Sequence, residues 1–199
     1  MPEPSPTRIG VFGGTFDPPH VGHLVTAVNV RHALSLDVVL LVVAGQPWQK
    51  EGQRTISPSE ARLALVEEAV AGVEGLEACR IEVDRTGPSF TADTLAELAA
   101  AHPGAQLFTI LGDDAAAGLT TWSRWEEVVA GSVMVVVDRP GKHEPLPEGV
   151  DWVHVEVPHL EVSSTDLRAR VADDRPLDFL LTPAVIEGIR RLGLYGADR

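Results

Sequence analysis

Short Val/Ile/Leu runs alternate with helix-length amphipathic segments along almost the whole chain, and this alternation constrains the fold more than any other feature. Strand, helix and strand in succession is the pattern of βαβ units on a parallel sheet, closed by right-handed crossovers. The spacing predicts strands at "RIGVF" (8–12), "VVLLVVA" (38–44), "RIEVD" (80–84), "QLFTIL" (106–111) and "SVMVVVD" (132–138). Runs such as 38–43 are apolar without alternation, as strands covered on both faces are. "WVHVEV" (152–157) does alternate and reads as a half-exposed edge strand.

Helix ends are marked by local chemistry. Ser57, Pro58 and Glu60 offer an N-cap, a first-turn proline and a capping-box partner, ahead of a face built from Ala61, Ala64, Leu65 and Ala69. Thr182 and Pro183 repeat the signal before Val185, Ile186, Ile189 and Leu192, and Gly193 stops that helix. The expected fold is α/β, a doubly wound Rossmann-like parallel sheet. No repeat or linker divides the chain, so residues 1–199 read as a single domain. Its first seven residues are expected to be frayed, the helices within 164–195 to pack on the same domain, and the loop 139–149 to lie on the surface.

Charge and composition narrow the function. Twenty-nine acidic against sixteen basic residues leave a net charge of -13, which opposes nonspecific attachment to nucleic acid or to anionic membranes. No apolar run approaches the roughly 18–20 residues of a membrane span. The single cysteine, Cys79, excludes an internal disulfide and a cysteine-based zinc site; it reads as an inert buried residue at the start of a strand, in a cytoplasmic protein. The sequence leaves oligomeric state open and is compatible with a homo-oligomer.

In an open parallel sheet the ligand lies beyond the carboxyl ends of the strands, where strand order reverses. The first strand exits into "GGTFDPPHVGH" (13–23). Gly13 and Gly14 permit a sharp turn and close approach of a phosphate to the main chain. The next helix starts near Pro19 to Val21, with Val21, Leu24, Val25 and Val28 spaced as a buried face. His20 and His23 are three apart, so both point to one side of that helix start. A glycine turn with exposed histidines, or a metal-binding pair, would account for each element taken alone; the combination in one loop favours an anion cradle with two imidazole donors.

That loop resembles the G-x-F-D-P-x-H-x-G-H segment of the nucleotidyltransferase superfamily with the H-x-G-H signature. "EVSSTDLRAR" (161–170) resembles the superfamily's second motif, I-S-S-T-x-[IL]-R, with Val162 in the first place. Ser163, Ser164 and Thr165 are N-cap candidates on physical grounds, and Arg168 follows one turn later. Three further stretches resemble the bacterial nicotinate-mononucleotide adenylyltransferases: "VAGQPWQK" with Lys50, "RTGPSFTADTL" with Phe90 and Thr91, and "ILGDDAAAGLTTW" with Gly112, Asp114 and Trp122. Lys50 is one of two lysines beside fourteen arginines. Thr91 reads as the cap of a helix carrying Leu95 and Leu98, with Asp93 in its first turn. Core packing is the better account of whichever of Trp122 and Trp125 fits its helix's buried face, and the place of Trp122 in the motif assigns ring stacking to it.

The resemblance implies adenylyl transfer from ATP to nicotinate mononucleotide, giving the deamido dinucleotide and pyrophosphate. It implies His20, His23 and Arg168 as catalytic donors to the triphosphate. ATP would be cradled by Gly13, Gly14, Thr15, Phe16, Gly112, Asp114, Ser163, Ser164 and Thr165. The acceptor would meet Lys50, Phe90, Thr91 and Trp122. Mg2+ would be held mainly by phosphates and water, with Asp114 accepting from ribose hydroxyls or ordering the ion through water. Asp17 either orients the loop through local hydrogen bonds or meets the surroundings of the acceptor phosphate. Two alternatives stand beside this reading: a phosphopantetheine adenylyltransferase, against which His20 and "SSTDLR" argue, and a nucleotide-binding regulatory domain without chemistry.

Overall fold

The computed structural model describes residues 7–47, 56–138, 145–158 and 160–196. Among the described residues six strands form one sheet: β1 (Arg8–Gly14), β2 (Val38–Val43), β3 (Leu76–Cys79), β4 (Gln106–Gly112), β5 (Val133–Asp138) and β6 (Trp152–Glu156). Every neighbouring pair is parallel, in the order β3-β2-β1-β4-β5-β6. Within the same described residues seven α-helices accompany them: α1 (Val21–Ala33), α2 (Ser59–Val70), α3 (Thr91–Ala101), α4 (Asp113–Ala117), α5 (Trp125–Gly131), α6 (Ser164–Ala172) and α7 (Pro183–Arg191). This is the doubly wound Rossmann-like arrangement. The chain steps from β1 out to β3 and then returns to the other side of β1, so order reverses between β1 and β4.

The inner strands lack polar alternation because each feeds two cores. Val39, Leu41 and Val43 of β2 point to the face carrying Ala27 and Val30 of α1 and Leu63 and Val66 of α2. Leu40 and Val42 point to the opposite face, against Leu95 and Leu98 of α3 and Val128 of α5. A third cluster joins Leu65 and Ala69, on the outer side of α2, to Leu167 of α6 and Val185, Ile186 and Ile189 of α7. β6 lies on the sheet edge, as its alternation requires, and buries Val155.

Four local expectations are corrected by tertiary contacts. β3 ends at Cys79, where the apolar pattern predicts a strand to begin. Arg80 to Asp84 instead closes into a turn: the Val83 and Asp84 N–H groups donate to the Arg80 carbonyl, and the Arg80 guanidinium clasps the Asp84 carboxylate at 2.8–3.0 Å. Cys79 is therefore a half-buried residue at a strand's end, where burial pushes its thiol pKa up. α2 starts at Ser59 without a side-chain cap; Glu60 reaches Arg80 (3.2 Å) rather than the helix start. Its buried face is also wider than predicted, because the sheet covers one side and α7 the other; Arg62, Leu63 and Val66 are buried while Ala61 and Ala64 are only half so. α1 buries Ala27 and Val30, and Val28 is exposed. α7 agrees with its signals throughout its start: the Thr182 hydroxyl accepts from the Val185 N–H (3.3 Å), Pro183 opens the helix, and Gly193 follows it at φ 60°.

Candidate active site

At the carboxyl end of β1 the two glycines have different reasons to be there. A Cβ on Gly14 would sit 2.7 Å from the Phe16 ring, so this glycine serves internal packing. A Cβ on Gly13 would meet nothing within 4 Å. Gly14 nonetheless lines both cavities of the site, whereas Gly13, with open space at its Cα, lines only the second one and not the cavity beside His20 and Arg168. Phe16, in the left-handed region at φ 48°, turns its ring inward to 2% exposure, edge-on to Phe12 and His23. It contributes mainly packing beneath the loop.

His20 occupies the position before α1 in extended backbone, and its N–H donates to Nδ1 of His23 at 3.1 Å. With Nδ1 accepting, the neutral His23 ring carries its proton on Nε2 and is a donor there. The two rings stack at 3.7 Å between centroids. One helical turn thus sets both imidazoles side by side.

The second motif arrives from about 146 residues away and docks on this loop. Ser163 caps α6, its hydroxyl accepting from the Asp166 N–H at 3.2 Å. Ser164 Oγ donates to the Pro18 carbonyl at 2.9 Å, and Arg168 Nη1 donates to the Asp17 carbonyl at 2.7 Å while Nη2 reaches Thr165 Oγ1 at 3.1 Å. A cavity of about 600 Å³ lies between the halves, lined by Gly14, Thr15, His20 and His23 on one side and by Ser163, Ser164, Thr165 and Arg168 on the other. Asp17, the residue with two open readings, is 1% exposed and accepts at Oδ1 from the Tyr195 hydroxyl at 2.7 Å. Burial first, then this hydrogen bond, drives the tyrosine pKa far above its ordinary value of 10.

A second cavity, of about 540 Å³, opens on the other side of the same β1 exit. Phe90, Thr91 and Trp122 line it together, and so do Gly112 and Asp114 from the end of β4. The latter pair thus shares a wall with the acceptor candidates rather than with His20 and Arg168. Of the adjacent aspartates, Asp114 lines the cavity and Asp113 does not; of the two tryptophans, Trp122 does and Trp125 does not. Thr91 is the first residue of α3 rather than its cap, which is the Phe90 position, and no side chain caps that helix. Asp93 in its first turn instead binds Arg124 at 2.5 Å, tying α3 to the segment that carries Trp122. Lys50 lies outside the described residues.

Three supporting residues escape sequence reasoning. Arg62 is 1% exposed and donates to the carbonyls of Thr15 (2.8 Å), Ser57 (2.9 Å) and Gly45 (3.3 Å), joining the loops after β1 and β2. Ser89 Oγ accepts from the Gly45 N–H at 2.9 Å, which pins the segment before Phe90 to the same place. Glu82 accepts from the Thr94 hydroxyl at 2.6 Å in the floor of the second cavity. Each does its work on backbone or on a distant element, so no spacing in the chain marks it.

The two cavities share Phe12, Gly14 and Thr15. They meet at the reversal point between β1 and β4, where one ligand's end can face another's. The family described as cytidylyltransferase-like matches residues 11–170, from β1 through the second motif. A probable nicotinate-nucleotide adenylyltransferase of Corynebacterium kroppenstedtii is 43% identical over 94% of this chain and 90% of its own length. One of Saccharopolyspora erythraea is 41% identical over 96% and 91%. The chain belongs to the nicotinate-nucleotide adenylyltransferase family. The family's fold is seen in the nicotinic acid mononucleotide adenylyltransferase of Plasmodium falciparum complexed with NaAD, which superposes with a TM-score of 0.77 at 17% identity, covering 95% of this chain and 97% of that one. A putative nicotinate-nucleotide adenylyltransferase from Vibrio parahaemolyticus gives 0.70 at 19% identity over 97% of each. Among the described residues no helix of this adenylyltransferase is long and apolar enough to cross a membrane.

Proposed function

We propose that this chain transfers the adenylyl group of ATP to nicotinate mononucleotide, releasing pyrophosphate and forming nicotinate adenine dinucleotide, a cytoplasmic step of NAD biosynthesis. The observation that carries the reading is the pair of cavities meeting on one loop. The triphosphate belongs between the histidines and α6, where His23 Nε2, the Ser163 to Thr165 segment and Arg168 present donors. The pyridine nucleotide belongs in the second cavity, with Trp122 for ring stacking, the start of α3 at Phe90 and Thr91 for the ring substituent, and Lys50 expected near its phosphate.

A phosphate monoester is largely ionised at neutral pH and needs no activated base. Its oxygen attacks the α-phosphorus in line, the bond to the bridging oxygen breaks, and the pyrophosphate leaves with the electron pair. The chain's contribution is alignment across the shared β1 exit and stabilisation of charge on the leaving group by His20, His23 and Arg168. Mg2+, when bound with ATP, supplies charge neutralisation on the phosphates. Among the described residues no cluster of three or more His, Cys, Asp or Glu is arranged to hold a metal; the expected ligands are the nucleotide's own oxygens and water, with Asp114, in the adjoining second cavity, a candidate to order that water.

The deciding assay is pyrophosphate release with ATP, Mg2+ and a panel of acceptors: nicotinate mononucleotide, nicotinamide mononucleotide and phosphopantetheine. The reading expects the acid mononucleotide to be turned over. Turnover of phosphopantetheine alone, or of no acceptor, would reject it.

A further inference from the structure

Tyr195 stands 178 residues from the loop it touches, beyond the stretch that the family match covers. It sits in a short 3-10 turn after α7 (Leu194–Gly196), at φ 62°. Its ring packs in the α2–α6–α7 cluster with Leu194, and its hydroxyl passes through to Asp17 Oδ1 at 2.7 Å. Asp17 does more than receive that bond. Its own carbonyl seats Arg168 Nη1, the neighbouring Pro18 carbonyl seats Ser164 Oγ, and its Oδ2 faces the Ser57 N–H at 3.5 Å. The Asp17–Pro18 segment is thus the seat on which two residues of the triphosphate cavity rest, and the Tyr195 hydroxyl holds that segment from behind.

We infer that Tyr195 is a positioning residue for ATP: its hydroxyl, through Asp17, sets where Arg168 and Ser164 present themselves to the nucleotide. This rests on the assignment of the first cavity to ATP. The acceptor cavity includes neither Asp17 nor Arg168, so the effect is confined to one substrate. A carboxylate buried like Asp17 that loses a short donor turns toward another donor, and that shift carries the carbonyl of the same residue with it.

Tyr195→Phe removes one oxygen and keeps the ring that packs. The expected result is ATP or a non-hydrolysable analogue binding roughly tenfold more weakly by calorimetry, with nicotinate mononucleotide affinity and KM changed less than about twofold. In a cycle with Asp17→Ala, which takes away the acceptor, the two losses should be strongly non-additive, since each removes the same Tyr195–Asp17 bond. ATP affinity within about twofold of wild type, additive losses, or equal weakening of both substrates in step with a lowered Tm would overturn the inference. Tyr195 is the chain's one tyrosine, which supplies a second test that needs no substitution. Protein labelled with 3-fluorotyrosine gives a single fluorine resonance, expected to shift on saturation with the ATP analogue and to stay in place with the mononucleotide. A resonance that ignores the nucleotide also rejects the role. Binding of ATP is measured without any acceptor, and wild-type turnover of nicotinate mononucleotide separately reports on the proposed reaction, so the two ideas fail independently.

Discussion

Replacing Arg62 by methionine isolates how the two loops of the site are tied together. Among the described residues it is the one arginine or lysine that is fully buried, and its guanidinium donates to carbonyls of Thr15, Ser57 and Gly45. Methionine keeps an unbranched apolar stem of similar reach and removes the charged fork. Each of the two shorter bonds, at 2.8 and 2.9 Å, leaves a buried carbonyl without that donor, at a cost of about 1.5 kcal/mol apiece net of the desolvation that the charge no longer requires. The third, at 3.3 Å, adds little. The sum is about 3 kcal/mol, which for a domain of this size lowers Tm by roughly 6–12 °C. Urea unfolding followed by tryptophan fluorescence measures the first quantity and calorimetry the second. Arg62→Lys, with a point charge in place of the fork, should recover only part of the loss. If Arg62→Met unfolds within about 2 °C of wild type, water or a small backbone shift satisfies those carbonyls at no cost, and the tie between the loops is not Arg62.

Three further outcomes are expected. His23→Ala should fold normally and lose at least about tenfold in kcat, since in the proposed reaction it removes a donor to the leaving pyrophosphate; near-normal turnover in folded protein would exclude His23 from the chemistry. Gly13→Ala has open space for its methyl, so Tm should hold within about 2 °C while kcat/KM falls by at least about tenfold, the methyl occupying ligand space; unimpaired activity would place the ligand elsewhere. Asp166 is held below the ordinary aspartate pKa of 3.8, first by its hydrogen bond from Arg170, so folded protein binds the proton less readily than unfolded protein does. Its contribution to stability is present above pH 3.8 and is lost as pH falls through its lower folded value. Asp166→Asn should therefore flatten the acid limb of a Tm-against-pH curve, and 1 M salt should do so partly because the pair is half-exposed to solvent; an unchanged limb would exclude this group.

The chain's periodicity determined a great deal on its own. Apolar runs without alternation can be buried only on both faces, so Val38–Val43 had to be an inner strand of a parallel sheet, and the alternating 152–157 had to lie at an edge. The motifs at 13–23 and 161–170 named most of the first cavity, because glycines, histidines, hydroxyls and an arginine act within a turn or two of where they stand. Tertiary structure decided what depends on partners far along the chain. β3 stops at Cys79 because Arg80 and Asp84 close a turn that no strand propensity foretells. α1 turns Val28 outward because the sheet, not the helix's own pattern, chooses which side is covered. Gly14 answers to the Phe16 ring, and Asp17 to a tyrosine 178 residues away. Local spacing sets which groups can share a turn; strand order sets which turns meet, and the site exists only where the β1 exit, α6 and the chain's single tyrosine are brought to one point.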